Sequence, residues 1–337
     1  MSIVTHTDVQ GFVSLEREWK DLLKRSAIDT IFLTWQWQRL WWEFFGQEAG
    51  LSILTVRDDG QLIGLAPLYA SPPSDTSRTL RLIGGSELSD YLDIVAARGR
   101  EEVVYSTLWE FLVGEYDYPW QAIDLHNVPG SSPTLATLPG LAKETKGVRV
   151  TIEVEDVCPV ISLPPTWEDY LSLLTRKQRH ELRRKIRKTE SEATVRWYYA
   201  QDEETVDEEI QDFIDLHAKS SPQKQAFMDD RMQRFFQAVA RMALEEGWLQ
   251  LSFLLLDDVK AATMLCFDYH DSILLYNSGY DPQLYSSLST GLVLLAYCIQ
   301  DAMERGRKAF DFLRGDEEYK YRLGGQDTKV YHLRISK

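Results

Sequence analysis

Apolar residues recur at helical spacing over positions 9–24, where Phe12, Leu15, Trp19 and Leu22-Leu23 share a face behind Asp8. That period predicts an amphipathic helix with Asp8 as a possible N-cap. A second helix is predicted at 34–45. It is aromatic on most sides (Trp35, Trp37, Trp41, Trp42, Phe44, Phe45) and stops at Gly46. Apolar runs at 51–56 and 62–69 flank Asp58-Asp59-Gly60 and predict a β-hairpin. Further strands are expected at 80–84, 120–126 and 148–154, a helix at 101–113, and Pro/Gly/Ser loops at 71–77 and 129–139. The stretch 159–165, bounded by prolines, reads as the crossing between two domains. One long helix, capped by Thr166, is expected to run through residue 188. Strands follow at 194–199, 248–256, 261–269, 272–277 and 309–313, with helices at 203–217, 229–246 and 291–305.

The pattern repeats. LSILTVRDDGQLIGLAPLY (51–69) and LQLSFLLLDDVKAATMLCF (249–267) both read strand, Asp-Asp turn, strand. Each is followed by a strand ending in Gly (LRLIGG, ILLYNSG), a loop, a helix ending in Gly, and a strand with Asp between apolar neighbours. Those last strands are AIDL, with Asp124, and AFDF, with Asp311. Long-period similarity of this kind implies two copies of one α/β unit, expected at 1–158 and 159–337.

The 337 residues are too many for one small core. Three widely spaced cysteines (Cys158, Cys266, Cys298) exclude a disulfide framework or cysteine metal cluster, and a cytoplasmic location is expected. No metal is expected: Cys-x-x-Cys and His-Glu-x-x-His are both absent. A nucleophile elbow is absent too, which argues against Ser-His-Asp chemistry. The net charge of −15 argues against non-specific DNA binding. No apolar run has the length of a membrane span. Against that acidic background, RKQRHELRRKIRK (176–188) holds eight Lys/Arg and one Glu in 13 residues. Arg179, Arg183 and Arg187 share a helical face with few acidic partners at i, i+4 spacing, so either an anionic ligand or docking on the protein's own acidic surface is implied.

The segments FLTWQWQRLWWEFFG (32–46), IGLAPLY (63–69), SDYLD (89–93), WEDYLSLLTRKQRHELRRKIRK (167–188), DLH (215–217), NSGYDP (277–282), LSTG (288–291) and FDFLRGDEEYK (310–320) occur in an order that resembles bacterial tandem GNAT-like (acyl-CoA N-acyltransferase) proteins with a CelD-like acetyltransferase domain. The resemblance extends more distantly to Fem-type aminoacyltransferases. It implies two tandem GNAT-like units with mixed β-sheets flanked by helices, the second catalytic. After His217 many relatives carry Arg-Trp and Lys-Gly pairs, whereas this chain reads AKSSPQKQAF.

The resemblance also implies a co-substrate, acetyl-CoA or another acyl-CoA, between two splayed parallel strands. Its pyrophosphate would sit on free amides at a helix N-terminus. Ser287, Ser289, Thr290 and Gly291 occupy that place, and backbone N–H groups near Asn277 and Gly279 would hold the oxyanion. The Gly-rich pyrophosphate fingerprint usual in GNAT enzymes is absent, and Ser289 or Thr290 as a plain helix cap is the alternative. Asp311, Glu317, Tyr319 and His217 are candidate catalytic residues. Tyr319 would protonate a leaving thiolate, and Asp311 is set against a role as loop anchor. Lys320, Arg183, Arg187 and Tyr91 are candidate substrate contacts. The expected function is transfer of an acyl group to an amine or hydroxyl of a small molecule, sugar or envelope precursor. The alternatives are a Fem-type transferase using aminoacyl-tRNA and a non-catalytic GNAT-like binding protein in polysaccharide assembly.

Overall fold

The computed structural model describes residues 1–72 and 74–337; Pro73, in the expected 71–77 loop, lies outside them. The chain forms two units, Met1–Val157 with Thr328–Lys337, and Cys158–Asp327.

In the first unit β1 (Ser2–His6) precedes α1 (Gln10–Lys24) and α2 (Trp35–Phe45). The expected hairpin follows as β2 (Gly50–Asp58) and β3 (Gln61–Ala70), turning at Asp59 (φ 47°) and Gly60 (φ 84°). Next come β4 (Thr79–Leu82), β5 (Val95–Ala96), α3 (Glu101–Gly114), β6 (Ala122–Pro129), α4 (Pro133–Lys143) and β7 (Arg149–Ser162). In the second unit α5 (Trp167–Leu173), α6 (Arg176–Glu192), β8 (Val195–Ala200), α7 (Val206–Ser220), α8 (Pro222–Phe227) and α9 (Asp230–Glu245) lead to β9 (Leu249–Leu256), β10 (Val259–Tyr269) and β11 (Ser272–Tyr280). Then come α10 (Thr290–Glu304), β12 (Ala309–Asp311) and α11 (Glu318–Arg322). The last strand, β13 (Gln326–Ser336), belongs mostly to the first unit.

The strand pairings of the two units repeat one another. β1-β2-β3-β4 and β8-β9-β10-β11 are antiparallel runs; β4 then pairs with β6 in parallel, and β11 with β12 in parallel. The register makes Asp124 and Asp311 equivalent. Arg81↔Asp124 and Leu274↔Asp311 are each the third pair of a three-pair parallel ladder. The next position in each sheet is filled antiparallel, by β13 on β6 and by the C-terminal part of β7 on β12.

Four elements depart from the expectations. The basic run is not continuous with the preceding helix, because Thr175 and Gln178 form a capping box that starts α6 afresh. The 129–139 loop contains most of α4, with Ser132 as N-cap and Pro133 in the first turn, where a missing N–H costs nothing. The crossing at 159–165 is largely strand: Val160, Ile161 and Ser162 pair with β12. The last ten residues, expected in the second unit, hydrogen-bond to β6.

The second unit's core packs β9–β12 against α10, with Phe310, Cys266, Val293 and Ile299 fully buried. The aromatic helix α2 is core as well: Trp35, Trp37 and Trp41 are buried. Among the described residues no helix is long and apolar enough to cross a membrane.

Candidate functional site

The second unit's sheet opens where β11 and β12 part. They pair over only three residues, after which β11 runs on to Tyr280 while β12 ends at Asp311. Just beyond the parting, β11 carries a bulge. Leu275 pairs with Cys266 and Asn277 with Leu265, so Tyr276 is the extra residue. A bulge re-aims the backbone of its strand, here at the place where the Asn277–Gly279 amides were expected to serve.

Helix α7 fixes this stretch from one side. A Cβ on Gly279 would lie 2.4 Å from the His217 backbone nitrogen, so only glycine lets helix and strand approach this closely. His217 is 2% exposed, and its Nε2 is 3.1 Å from Asn277 Oδ1. An amide oxygen only accepts, so Nε2 carries the proton and Nδ1 is left as a buried lone pair with no partner. Burial, then the nearby Lys224 ammonium, push the His217 pKa down to about 4, so the ring is neutral at physiological pH. Lys224, itself mostly buried, donates to the carbonyl of Ser278. His217 thus positions Asn277; with 2% exposure it is not placed to meet an acceptor as a base.

On the other side, the loop after β12 is held by two buried charges. Asp311 Oδ1 accepts from the Leu313 backbone N–H at 2.7 Å, where Leu313 sits at φ 54°. The carboxylate therefore anchors the loop. Lys320 is 2% exposed, and its ammonium donates to the carbonyls of Leu313 (3.2 Å), Arg314 (2.8 Å) and Gly315 (3.1 Å) and meets Glu317 Oε2 at 2.8 Å. An ammonium has three N–H bonds, and four acceptors already surround it. The expected substrate contact is corrected accordingly: Lys320 pins the 313–317 loop from inside. Glu317, with a 57% exposed side chain, caps that pin from the solvent side.

Tyr319 lies in α11, just after this loop. Its ring packs edge-on against Phe312 (centroids 6.2 Å apart) at the margin of the core. Its hydroxyl makes no hydrogen bond among the described residues, and the side chain is partly buried. Burial, then the Glu317 carboxylate, push its pKa well up, so the phenol keeps its proton. A protonated phenol with no internal hydrogen bond is free to donate to a ligand or to water.

The N-terminus of α10 supplies the third part. No side chain caps it; Ser289, expected beside the pyrophosphate with a plain helix cap as the alternative, stands at φ 53° with no cap hydrogen bond. Ser289, Thr290 and Gly291 line an open cavity of about 370 Å³ with Tyr280, Asp281 and Tyr285, and a Cβ on Gly291 would touch nothing. The uncapped end of this 15-residue helix carries the positive end of its dipole, a setting that favours negative charge. Ser287 lies just before, its carbonyl accepting from Lys188 at 3.1 Å, and Thr189 donates to the Leu288 carbonyl at 2.9 Å. Helix α6 therefore runs from Tyr321, whose carbonyl accepts from Gln178 (3.2 Å), to the loop ahead of α10.

Arg183 and Arg187 lie on α6 in an open groove of about 970 Å³ that also holds Arg176, Lys177, Arg179, His180 and Trp167. Arg183 is paired with Glu168 at 2.7 Å, both side chains exposed. This groove and the α10 cavity share no lining residue. Tyr91 is in the first unit, beside Phe32, and joins neither.

Residues 176–321 match the family model of the acetyltransferase (GNAT) domain. This segment, less than half of the chain, is similar to the GNAT acetyltransferase domain. In fold the whole chain is of the tandem GNAT type. A crystal structure of FemX superposes with a TM-score of 0.68 at 11% identity, covering 99% of this chain and 97% of that one. L-PGS from Bacillus licheniformis gives 0.56 at 12% identity, covering 100% and 94%. A tandem GNAT protein from the clavulanic acid biosynthesis pathway gives 0.50 at 11%, covering 98% and 97%. No curated protein matches the chain in sequence. The GNAT match begins at Arg176, the first residue of α6. The basic helix is therefore part of the domain that carries the opened sheet.

Proposed function

We propose that the second unit is a working acyltransferase that moves an acyl group from an acyl-CoA, acetyl-CoA foremost, to an amine or hydroxyl, and that it acts in the cytoplasm. The observation that carries this reading is the unpaired Tyr319 hydroxyl, in the same unit as the parted strands β11 and β12 and the uncapped N-terminus of α10. The pyrophosphate binds the amides of Thr290 and Gly291, with Ser287 and Ser289 beside it. The thioester lies along β11, its carbonyl oxygen facing the backbone N–H groups around the Tyr276 bulge, which Asn277, His217 and Gly279 hold in place. The acceptor's lone pair attacks the thioester carbon, the new C–N or C–O bond forms, and the C–S bond breaks. Tyr319 gives its proton to the departing sulfur and is reprotonated by solvent. The acceptor's own proton leaves through water or Glu317 at the open edge. A sugar or envelope precursor remains the acceptor class we favour, by family association alone.

The groove on α6 supports a second reading, in which the donor is an aminoacyl-tRNA whose phosphates meet Arg176, Arg179, Arg183 and Arg187; the fold shared with FemX adds to it. Thermal shift with acetyl-CoA, CoA and tRNA separates the two. A donor at 100 times its Kd stabilises by about 2.7 kcal/mol. The first reading expects this from acetyl-CoA and CoA, unaltered in Arg183→Gln/Arg187→Gln. Stabilisation by tRNA alone, lost in that double variant, replaces it with the second.

A further inference from the structure

We propose that Asp124, His126 and His332 form a binding site for one divalent transition-metal ion in the first unit, with zinc the best-fitting occupant. The site is independent of the acyl-transfer reading and is built on the antiparallel pairing of β6 with β13: Asp124 stands opposite Arg334, so alternation along each strand puts Asp124 and His126 on the same face as Arg334 and His332. Leu125 pairs with Leu333 and Val128 with Tyr331, so His126 and Asn127 together oppose the single residue His332. Asn127 takes the left-handed conformation this requires (φ 54°). The two imidazoles stack, centroids 4.1 Å apart and planes 8° from parallel, and both direct Nε2 to one carboxylate. His332 Nε2 is 2.7 Å from Asp124 Oδ1, and His126 Nε2 is 3.4 Å from Asp124 Oδ2. All three ligand atoms lie within 4.8 Å of one another.

Two imidazole nitrogens and a carboxylate suit zinc, cobalt, nickel or copper rather than magnesium or calcium. Tetrahedral zinc with bonds of about 2.0–2.1 Å holds its ligand atoms about 3.3 Å apart. The His126–Asp124 separation already has that value, and the His332 contact needs to open by a fraction of an ångström. The outer support is in place as well. Glu155 Oε1 accepts from His126 Nδ1 at 2.5 Å, which fixes the ring with Nε2 inward, and Glu155 Oε2 is held by the Asn127 backbone N–H at 2.7 Å. A carboxylate behind a ligating histidine is the usual device for orienting it and raising its basicity. Both rings are partly exposed, so an ion can enter and water can complete the coordination. Two arginines also reach Asp124, Arg334 at 3.1 Å and Arg81 at 3.8 Å. Their side chains are 44% and 33% exposed and free to swing outward as the ion takes the carboxylate.

The test is titration of chelator-stripped full-length protein with Zn²⁺ by calorimetry, with Co²⁺ absorption as a coordination signature and Mg²⁺ as control. The expected result is one Zn²⁺ per chain with micromolar or tighter Kd, a rise in Tm, visible Co²⁺ bands, and no response to Mg²⁺. His126→Gln/His332→Gln should abolish binding, and Glu155→Gln should weaken it about 10–100-fold. Absence of one-to-one binding in the wild type, or its survival in the double variant, overturns the site. If the double variant does not fold, the imidazole nitrogen shifts of wild-type protein decide. They must move at two histidines on adding Zn²⁺, and a spectrum without such movement rejects the proposal.

Discussion

β4 with β6 and β11 with β12 meet alike, over three parallel pairs ending on an aspartate. Beyond that aspartate the two units differ. In the first unit the chain after β4 is tied down: Asn127 donates to the carbonyls of Ser86 (3.0 Å) and Ser89 (2.8 Å), Trp37 to Ser89 Oγ (2.8 Å), and Gln38 to the Ile83 carbonyl (3.0 Å). In the second unit His217 Nδ1 has no partner among the described residues and the N-terminus of α10 has no side-chain cap, and the Tyr319 hydroxyl of the same unit makes no hydrogen bond among the described residues. Buried polar groups are normally satisfied, and an unmet one needs an explanation such as a ligand. Unpartnered buried atoms occur in both units among the described residues, Gln38 Oε1 and Asp93 Oδ2 in the first and His217 Nδ1 in the second; the difference lies in the hydrogen bonds that tie the stretch after β4 and in the uncapped helix after β11. The aspartates diverged likewise. Asp311 anchors its loop, while Asp124 gathers two histidines and two arginines.

The largest effect separating the copies is expected from two tyrosines. Tyr319→Phe should lower kcat about 10²–10⁴-fold, with Tm and acetyl-CoA affinity nearly unchanged, because the hydroxyl makes no bond in the free protein. In the first unit the buried Tyr105 hydroxyl bonds Thr134 Oγ1 at 2.8 Å. Tyr105→Phe should cost about 1–2 kcal/mol of stability, read by urea unfolding, and leave turnover per folded molecule intact. The reverse pattern would exchange the roles of the two units. Lys320→Met should destabilise by about 3 kcal/mol, since it strands three carbonyls and the Glu317 carboxylate. A purely kinetic effect, with KM raised and Tm unchanged, would restore Lys320 as a substrate contact.

A pH dependence belongs to the first unit. Asp93 is fully buried, and desolvation raises its pKa to about 6 despite hydrogen bonds to Oδ1 from the Thr134 hydroxyl and the Ile94 N–H. The folded state therefore holds this proton more tightly than the unfolded chain. Its contribution to stability is present at low pH and is lost as pH rises from about 4 through 6. Asp93→Asn should stabilise relative to wild type at pH 8, by up to about 3 kcal/mol, and not at pH 4. Equal shifts at both pH values in thermal melts would contradict this. The smallest effect is expected at Gly291→Ala. The site is open and helical, so stability should stay level or rise by up to about 1 kcal/mol, while CoA affinity falls.

The repeat was legible because paired strands keep their apolar runs and Asp-Asp turns, and the equivalence of Asp124 and Asp311 came from it. Elements that rest on one polar contact were not. Thr175 and Gln178 break a helix that apolar periodicity alone carries through, and Pro133 and Pro139 hide α4. Candidate residues were legible by type and neighbourhood, but their roles depended on depth. Lys320 reads as a solvated or substrate-facing cation until its three carbonyl partners are seen, and His217 as a base until its enclosure is. The Asp124–His332 contact joins residues 208 positions apart, so no local spacing signals it.

Hydrogen–deuterium exchange with and without acetyl-CoA tests most directly whether the second unit is the open one. The account predicts new protection over residues 275–292 and 312–320 and none over the matching first-unit stretches 82–92 and 125–132. Protection in the first-unit stretches, or acetyl-CoA that protects neither, would contradict it.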